Sequence, residues 1–259
     1  MRFKLHIEAI PSLYGNKLPI NYQYELSAWI YKVIARGDES YARWLHENGF
    51  SHKHKNMKMF TFSNLFIPKT KREEDRLCIL SDLISLNLSF LPEKSTEEFI
   101  KGIFSEQEFS LGDQKSKVAF RVRQVELITS LDFSSIMEFH TLSPVVICLK
   151  EADGSIKYLS PDHPSYGQLL INNLIEKYQL FYEAPFTGNK TFYFDLITPP
   201  RSRLVTIKAN TPEQTKVRGF NYSFLLKADQ ELLKVAYEAG LGEKGSLGFG
   251  MIEEKHIQI

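Results

Sequence analysis

The chain has 259 residues, of which 43% are hydrophobic, 24% charged and 13% aromatic, and a formal net charge of +1. That mixture suits one large or two small packed domains and excludes a disordered tail or a fibrous repeat. Two cysteines, Cys78 and Cys148, are too few for a disulfide framework or a four-cysteine zinc site, and no apolar run approaches the ~20 residues of a membrane span. The expectation is a cytoplasmic chain with reduced thiols and no membrane partner.

Residues 1–10 alternate with period two, Phe3, Leu5 and Ile7 opposite Arg2, Lys4 and His6, which predicts a half-buried strand and not a signal peptide. A loop over 11–19 leads into a helix with Tyr22, Leu26, Trp29, Ile30, Val33 and Ile34 at helical spacing, stopping near Gly37. Asp38 caps a short second helix, with Tyr41, Ala42 and Leu45 inward and Asn48-Gly49 as its end. Strands are predicted over 57–66 and, with an interruption, 77–90. Residues 95–104 read as a helix, with Ser95 as cap, Glu98 closing a capping box, and Phe99, Ile103 and Phe104 as its apolar stripe. Residues 117–128 form another strand, with Val118, Phe120 and Val122 opposite Arg121 and Arg123.

This order is β-α-β-β-α-β with the first helix doubled, which is the ferredoxin-like arrangement. The second half repeats it more loosely. Strands are predicted over 137–149, 191–197, 204–208, 216–226 and 249–257, and helices over 166–181 and 229–239. Pro144 places the first of these strands at an edge or bulge. The join falls near 130–135. The predicted fold is α+β: two tandem ferredoxin-like (RRM-like) domains, 1–130 and 136–259, the second ending in a glycine-rich loop.

Charge is segregated despite the neutral total. Residues 48–72 contain no acid but hold Lys53, Lys55, Lys58, Lys69, Lys71 and Arg72, with His52 and His54. Residues 114–125 hold Lys115, Lys117, Arg121 and Arg123 with no acid. Residues 199–222 set Arg201, Arg203, Lys208, Lys216 and Arg218 against the single Glu213. Such a distribution either presents a basic face to a polyanion such as RNA or simply solvates strands and loops.

The sharpest local signal is Gly240-Leu241-Gly242-Glu243-Lys244-Gly245-Ser246-Leu247-Gly248-Phe249-Gly250, with five glycines in eleven residues. Gly240, Gly242 and Gly245 match dinucleotide spacing, but the loop follows a predicted helix and precedes a strand, the reverse of that fingerprint's context. No nucleotide cofactor is expected. The loop either touches RNA phosphates, through Gly242, Lys244, Gly245 and Gly248, or lets the last helix and strand pack closely.

A C-terminal loop of the form Gly-x-Gly-x-x-x-Ser-x-Gly-x-Gly on two ferredoxin-like halves resembles the RAMP superfamily. Within it, the chain is most similar to the CRISPR-associated endoribonucleases that cut precursor CRISPR RNA within its repeats. Met1-Arg2-Phe3, Leu18-Pro19-Ile20-Asn21-Tyr22, Lys58-Met59-Phe60-Thr61-Phe62-Ser63, Leu142-Ser143-Pro144-Val145 and Glu238-Ala239-Gly240 carry the likeness across both halves. The resemblance implies repeat RNA as partner and leaves other CRISPR effector subunits and a homodimer open. The runner-up in the same superfamily is a non-catalytic subunit that holds processed guide RNA.

No residue grouping suggests a metal site, and RNA cleavage does not require one because the 2′-hydroxyl is a built-in nucleophile. The reaction then needs a base, a cation and an acid. The resemblance implies a catalytic tyrosine in the first helix, a histidine in the second and a lysine on the next strand, which fall at Tyr31, His46 and Lys58. Tyr31 would serve as base or phosphate contact, His46 as general acid and Lys58 as electrostatic stabiliser. The residues agree in part: Tyr31 lies off the centre of its apolar stripe, and His46 sits at a helix end that favours a cation. His52 and His54 rival His46, and Lys53 and Lys55 rival Lys58. RNA is expected along Lys53, Lys55, Arg121, Arg123, Arg201, Arg203, Lys216 and Arg218.

Overall fold

A computed structural model describes residues 1–52, 55–151, 153–209 and 211–255. The first half runs β1 (Arg2–Ala9), α1 (Pro11–Tyr14), β2 (Lys17–Pro19), α2 (Gln23–Gly37), α3 (Glu39–Glu47), β3 (Phe50–His52), β4 (Lys55–Met57), β5 (Phe60–Phe62), β6 (Thr70–Glu73), β7 (Arg76–Ile79), β8 (Leu83–Phe90), α4 (Glu93–Ser105), β9 (Glu108–Gly112) and β10 (Lys117–Ile128). Its main sheet has the order β5-β8-β1-β10-β9. Helices α2 and α4 supply the other layer, burying Leu26, Ile30, Val33 and Phe99 against Leu5, Ile7, Leu86 and Leu88. Glycine lets the two helices meet: a Cβ on Gly102 would lie 1.8 Å from the Val33 carbonyl oxygen.

The second half runs β11 (Ile136–Thr141), β12 (Cys148–Lys150), β13 (Ile156–Tyr158), α5 (Tyr166–Tyr182), β14 (Tyr193–Leu196), β15 (Arg201–Ile207), β16 (Thr215–Asn221), β17 (Ser223–Lys227), α6 (Gln230–Ala239) and β18 (Ile252–Glu254). Its sheet order, β14-β17-β11-β18, repeats the first: strand two, strand three, strand one, strand four of a β-α-β-β-α-β unit. The hairpin β15–β16 is an insertion between the second and third strands. It packs Val205, Ile207 and Val217 over Val146 and Phe249. Both halves are therefore ferredoxin-like, as the element order predicts. No helix among the described residues is long and apolar enough to cross a membrane.

The halves are pinned by a buried cation. From β1, Arg2 donates to the carbonyl oxygens of Tyr237 (2.5 Å) and Ile252 (2.7 Å), and its guanidinium lies 3.4 Å from the Tyr237 ring centroid. Such a group stays charged because those oxygens and the ring face replace water.

Several local expectations change. Helix α4 starts at Glu93, so Ser95 and Glu98 are not its capping box. Ser95 instead hydrogen-bonds the Tyr41 hydroxyl at 2.6 Å, buried Glu98 accepts from Lys94 and Lys101, and Phe104 is exposed. The single strand read over 57–66 is broken at Met59, whose φ of 53° turns the chain between β4 and β5. The strand read over 216–226 is two strands meeting at Tyr222. The predicted loop over 11–19 holds a helical turn and a short strand.

Candidate active site

Three elements bring the sequence-predicted residues together. Tyr31 leaves the flank of α2, His46 sits in the last turn of α3, and Lys58 follows β4. The rings of Tyr31 and His46 meet edge to face with centroids 5.0 Å apart, and the Tyr31 ring stands likewise on buried Phe60 at 5.5 Å. Lys58 Nζ donates to the His46 carbonyl oxygen at 2.7 Å, capping the end of α3. Gly49 leaves room for this reach, since a Cβ there would lie 2.8 Å from Lys58 Cδ. Partial burial lowers the Lys58 pKa from its ordinary value, while His46 is exposed. Burial raises the Tyr31 phenol well above its ordinary value, so it stays protonated at neutral pH, against the relief of a hydrogen bond with the Ser246 side chain.

Ser246 belongs to the glycine-rich loop, which closes over these residues from the other half of the chain. Its carbonyl oxygen accepts from Ser27 Oγ at 2.6 Å, and Thr61 Oγ1 donates to the Phe249 carbonyl at 2.8 Å. On its far side the loop is held by Lys177 of α5, a buried lysine whose Nζ donates to the carbonyl oxygens of Gly240 (2.5 Å) and Gly242 (2.7 Å). Desolvation brings the Lys177 pKa down to about 7 against the pull of Glu243.

Between the loop, residues 55–60 and α5 lies a cleft of about 810 Å³. Lys58, Lys244, Gly245 and Ser246 are on its walls. Lys244 adopts φ +62°, a left-handed conformation uncommon outside glycine, at the entrance to the 3-10 turn Gly245–Leu247. This arrangement places cationic and hydroxyl groups around a space that a phosphodiester fits; Tyr31 and His46 do not line it but adjoin Ser246 and Lys58, which do.

The other expected RNA contacts separate into groups. Gly242 lines the cleft yet is buried, its α-carbon pressed towards the Val146 carbonyl. Gly248 is buried against the Phe62 ring, 2.5 Å from where a Cβ would stand, so the structure gives it a packing role. Lys55 is exposed and paired with Glu176 at 2.8 Å. Arg121 and Arg123 are on β10, paired with Glu108 and Glu8, and neither lines the cleft. Arg201, Arg203, Lys216 and Arg218 are on the β15–β16 hairpin without an ion-pair partner among the described residues, Arg218 donating to Ser202 Oγ at 2.7 Å. Lys53 and the rival His54 fall outside the described residues.

Sequence reasoning missed Ser246 and Lys177. Ser246 was part of the quoted loop pattern, where it is the sole hydroxyl. Lys177 continues the buried stripe Leu170, Leu174 by one more turn, and a lysine at such a position is itself a signal.

Residues 17–126 match the family described as CRISPR-associated protein Cas6, N-terminal, and residues 128–254 match CRISPR associated protein Cas6, C-terminal. Among curated relatives, the CRISPR-associated endoribonuclease Cas6 1 of Methanocaldococcus jannaschii is 29% identical, covering 91% of this chain and 86% of that one. The CRISPR-associated endoribonuclease Cas6 of Pyrococcus furiosus is 26% identical over 98% of this chain and 89% of its own. Among solved structures, the product of a Cas6-related gene from Pyrococcus furiosus superposes with a TM-score of 0.84 at 27% identity, covering 100% of this chain and 99% of that one.

Proposed function

Because the chain belongs to the Cas6 family of CRISPR-associated proteins, we propose that it is an endoribonuclease that cuts precursor CRISPR RNA within its repeats, without a metal ion. The observation that carries this reading is the meeting of Tyr31, His46, Lys58 and Ser246, the last two on the wall of one cationic cleft. Relatives named as endoribonucleases support it.

In the proposed reaction the 2′-hydroxyl gives up its proton to solvent water, its oxygen attacks the adjacent phosphorus and the bond to the 5′-oxygen breaks. The products are a 2′,3′-cyclic phosphate and a 5′-hydroxyl. His46 gives the departing 5′-oxygen its proton, and its exposure leaves the ring accessible to RNA. Lys58 answers the negative charge that builds on the phosphorane. Tyr31 acts as a hydrogen-bond donor to phosphate and not as the base, because burial keeps its phenol protonated. Lys244 and the hairpin cations Arg201, Arg203, Lys216 and Arg218 hold the RNA on either side.

No step calls for a metal, and among the described residues no three His, Cys, Asp or Glu side chains gather as ligands would. A guide-holding subunit without catalysis would keep the loop and hairpin but has no use for a proton donor at position 46.

The test is cleavage of the chain's own repeat RNA in excess chelator. The rate should be undiminished, and a repeat with a 2′-deoxy nucleotide at the cut should bind and stay intact. Cutting of the deoxy repeat, or activity restored only by a divalent ion, overturns the mechanism.

A further inference from the structure

A second cavity of about 460 Å³ opens beside the cleft and shares Lys55, Cys148, Asn173, Glu176 and Glu243 with it. Its volume lies in the range of small-molecule sites, about 300–1,000 Å³. Ile147, Leu169 and Ile175 give it apolar walls. The polar lining comes mostly from one stripe of α5: Asn172 and Asn173, then Glu176, then Gln179, spaced so that they share a helix face.

Two observations indicate what this cavity takes. The first is charge. The cleft sets Lys58, Lys150, Lys177 and Lys244, besides the shared Lys55, against the shared carboxylates Glu176 and Glu243, whereas in the side cavity the same two carboxylates stand with three carboxamides and none of those four further lysines. Lys55, its one cation, is paired with Glu176. A phosphate is repelled there, while the amino and imino groups of a nucleobase find acceptors. The second is an unmet hydrogen bond. Asn173 Oδ1 is buried without a partner among the described residues, an unfavourable state that a ligand's donor would relieve. Rotation of the carboxamide presents either its oxygen or its N–H groups to the cavity.

We propose that this side cavity is a base-recognition subsite: a nucleotide next to the scissile bond sets its phosphate on the cleft lysines and its base against Asn173 and Gln179. This rests on the reading of the cleft as an RNA-cleaving site and deepens it by naming the substrate class. The base must be out of any stack or pair to enter, so the RNA at this position is single-stranded, and its Watson–Crick edge is what the carboxamides read. Apolar contact with the cavity walls holds the ring, and the amides choose among the four bases.

The experiment compares the wild type with Gln179→Ala and Asn173→Ala on repeat RNAs in which each nucleotide flanking the cut is replaced by the other three bases or by an abasic site. Both affinity and single-turnover cleavage are read. In the wild type, one flanking position should lose roughly five- to a hundredfold in affinity on base replacement, the scale of a bidentate base contact. In the variants that position should become tolerant to within about twofold, while discrimination elsewhere and the salt dependence of binding stay as they were. Gln179 is exposed, so its variant keeps the fold even where Asn173→Ala does not. Identical position-by-position profiles in wild type and Gln179→Ala, or an abasic repeat that binds as tightly as the intact one at every flanking position, overturns the proposal. If the wild type discriminates in binding at that position but cuts no repeat, the nuclease reading fails and the base subsite stands.

Discussion

The His46 imidazole stands at the end of α3 with one edge on the Tyr31 ring and its own carbonyl held by Lys58. A proton donor placed in this way is worth ~10²–10⁴ in rate. His46→Ala should slow single-turnover cleavage at least about a hundredfold on that scale, with little change in repeat affinity, because phosphate contacts elsewhere supply most of the binding. The ring is exposed, so melting should be unchanged. His52→Ala and His54→Ala run in parallel: loss of cleavage in either, with normal cutting by His46→Ala, would move the acid to position 52 or 54. Tyr31, His46 and Lys58 were legible only through family resemblance, since a helical tyrosine, a helix-end histidine and a lysine among lysines have ordinary structural uses. Ser246 and Lys177 were not assigned because their partners are non-local. Lys177 reaches carbonyls 63 and 65 residues away, and no spacing along the chain announces that.

The glycine-rich loop divides between a packed end and an end on the proposed site. Gly248, at φ +82°, and Gly250, at φ +79°, are the packed end; Lys244, Gly245 and Ser246 face the cleft. Gly248→Val adds a β-branched side chain to a left-handed backbone and drives it into Phe62. Strain and overpacking together cost roughly 2–5 kcal/mol, so the melting temperature should fall by at least about 5 °C. Reduced binding at an unchanged melting temperature would instead place Gly248 against RNA. Lys177 gives a second test of the same element. Its proton leaves near pH 7 in the folded chain and near 10.5 in the unfolded chain. Between those values the unfolded state binds more protons, so unfolding free energy rises with pH, by up to ~1.4 kcal/mol per unit from this group. Urea unfolding at pH 7 and pH 9 should show a flatter rise in Lys177→Met than in the wild type, and cleavage should slow as the loop carrying Ser246 loosens. Equal slopes would mean that Lys177 is not the group that titrates. At this scale the order of strands and helices was readable from period-two and helical patterns. The ends were not: a broken strand at Met59 depends on one positive φ, and the start of α4 on contacts of Glu98 and Ser95 with other elements.

Across the molecule the charge that looked alike in sequence divides by partner. The stretch around Arg121 and Arg123 contains no acid, but strand pairing brings Glu108 opposite Arg121 and Glu8 within reach of Arg123. Among the described residues the hairpin cations Arg201, Arg203, Lys216 and Arg218 meet no such carboxylates: β15 and β16 pair with each other, and the register sets Leu204 opposite Arg218 and Thr206 opposite Lys216. Local acid-free composition is therefore a poor guide to a basic face when the neutralising residues arrive from another strand. Each unneutralised cation on an RNA path releases counterions on binding and adds to the salt slope. The double variant Lys216→Glu/Arg218→Glu should weaken repeat binding by at least about tenfold at low salt and reduce the slope of log affinity against log salt by roughly one to two. Arg121→Glu/Arg123→Glu should leave both within about twofold, since those arginines are already paired with glutamates and do not line the cleft. Circular dichroism melts on both variants separate lost contact from lost fold, because the hairpin packs on Phe249 beside the glycine-rich loop. A large loss from the β10 pair with none from the hairpin pair would put the RNA across the first sheet, in the manner of an RRM face, and remove the hairpin from its path.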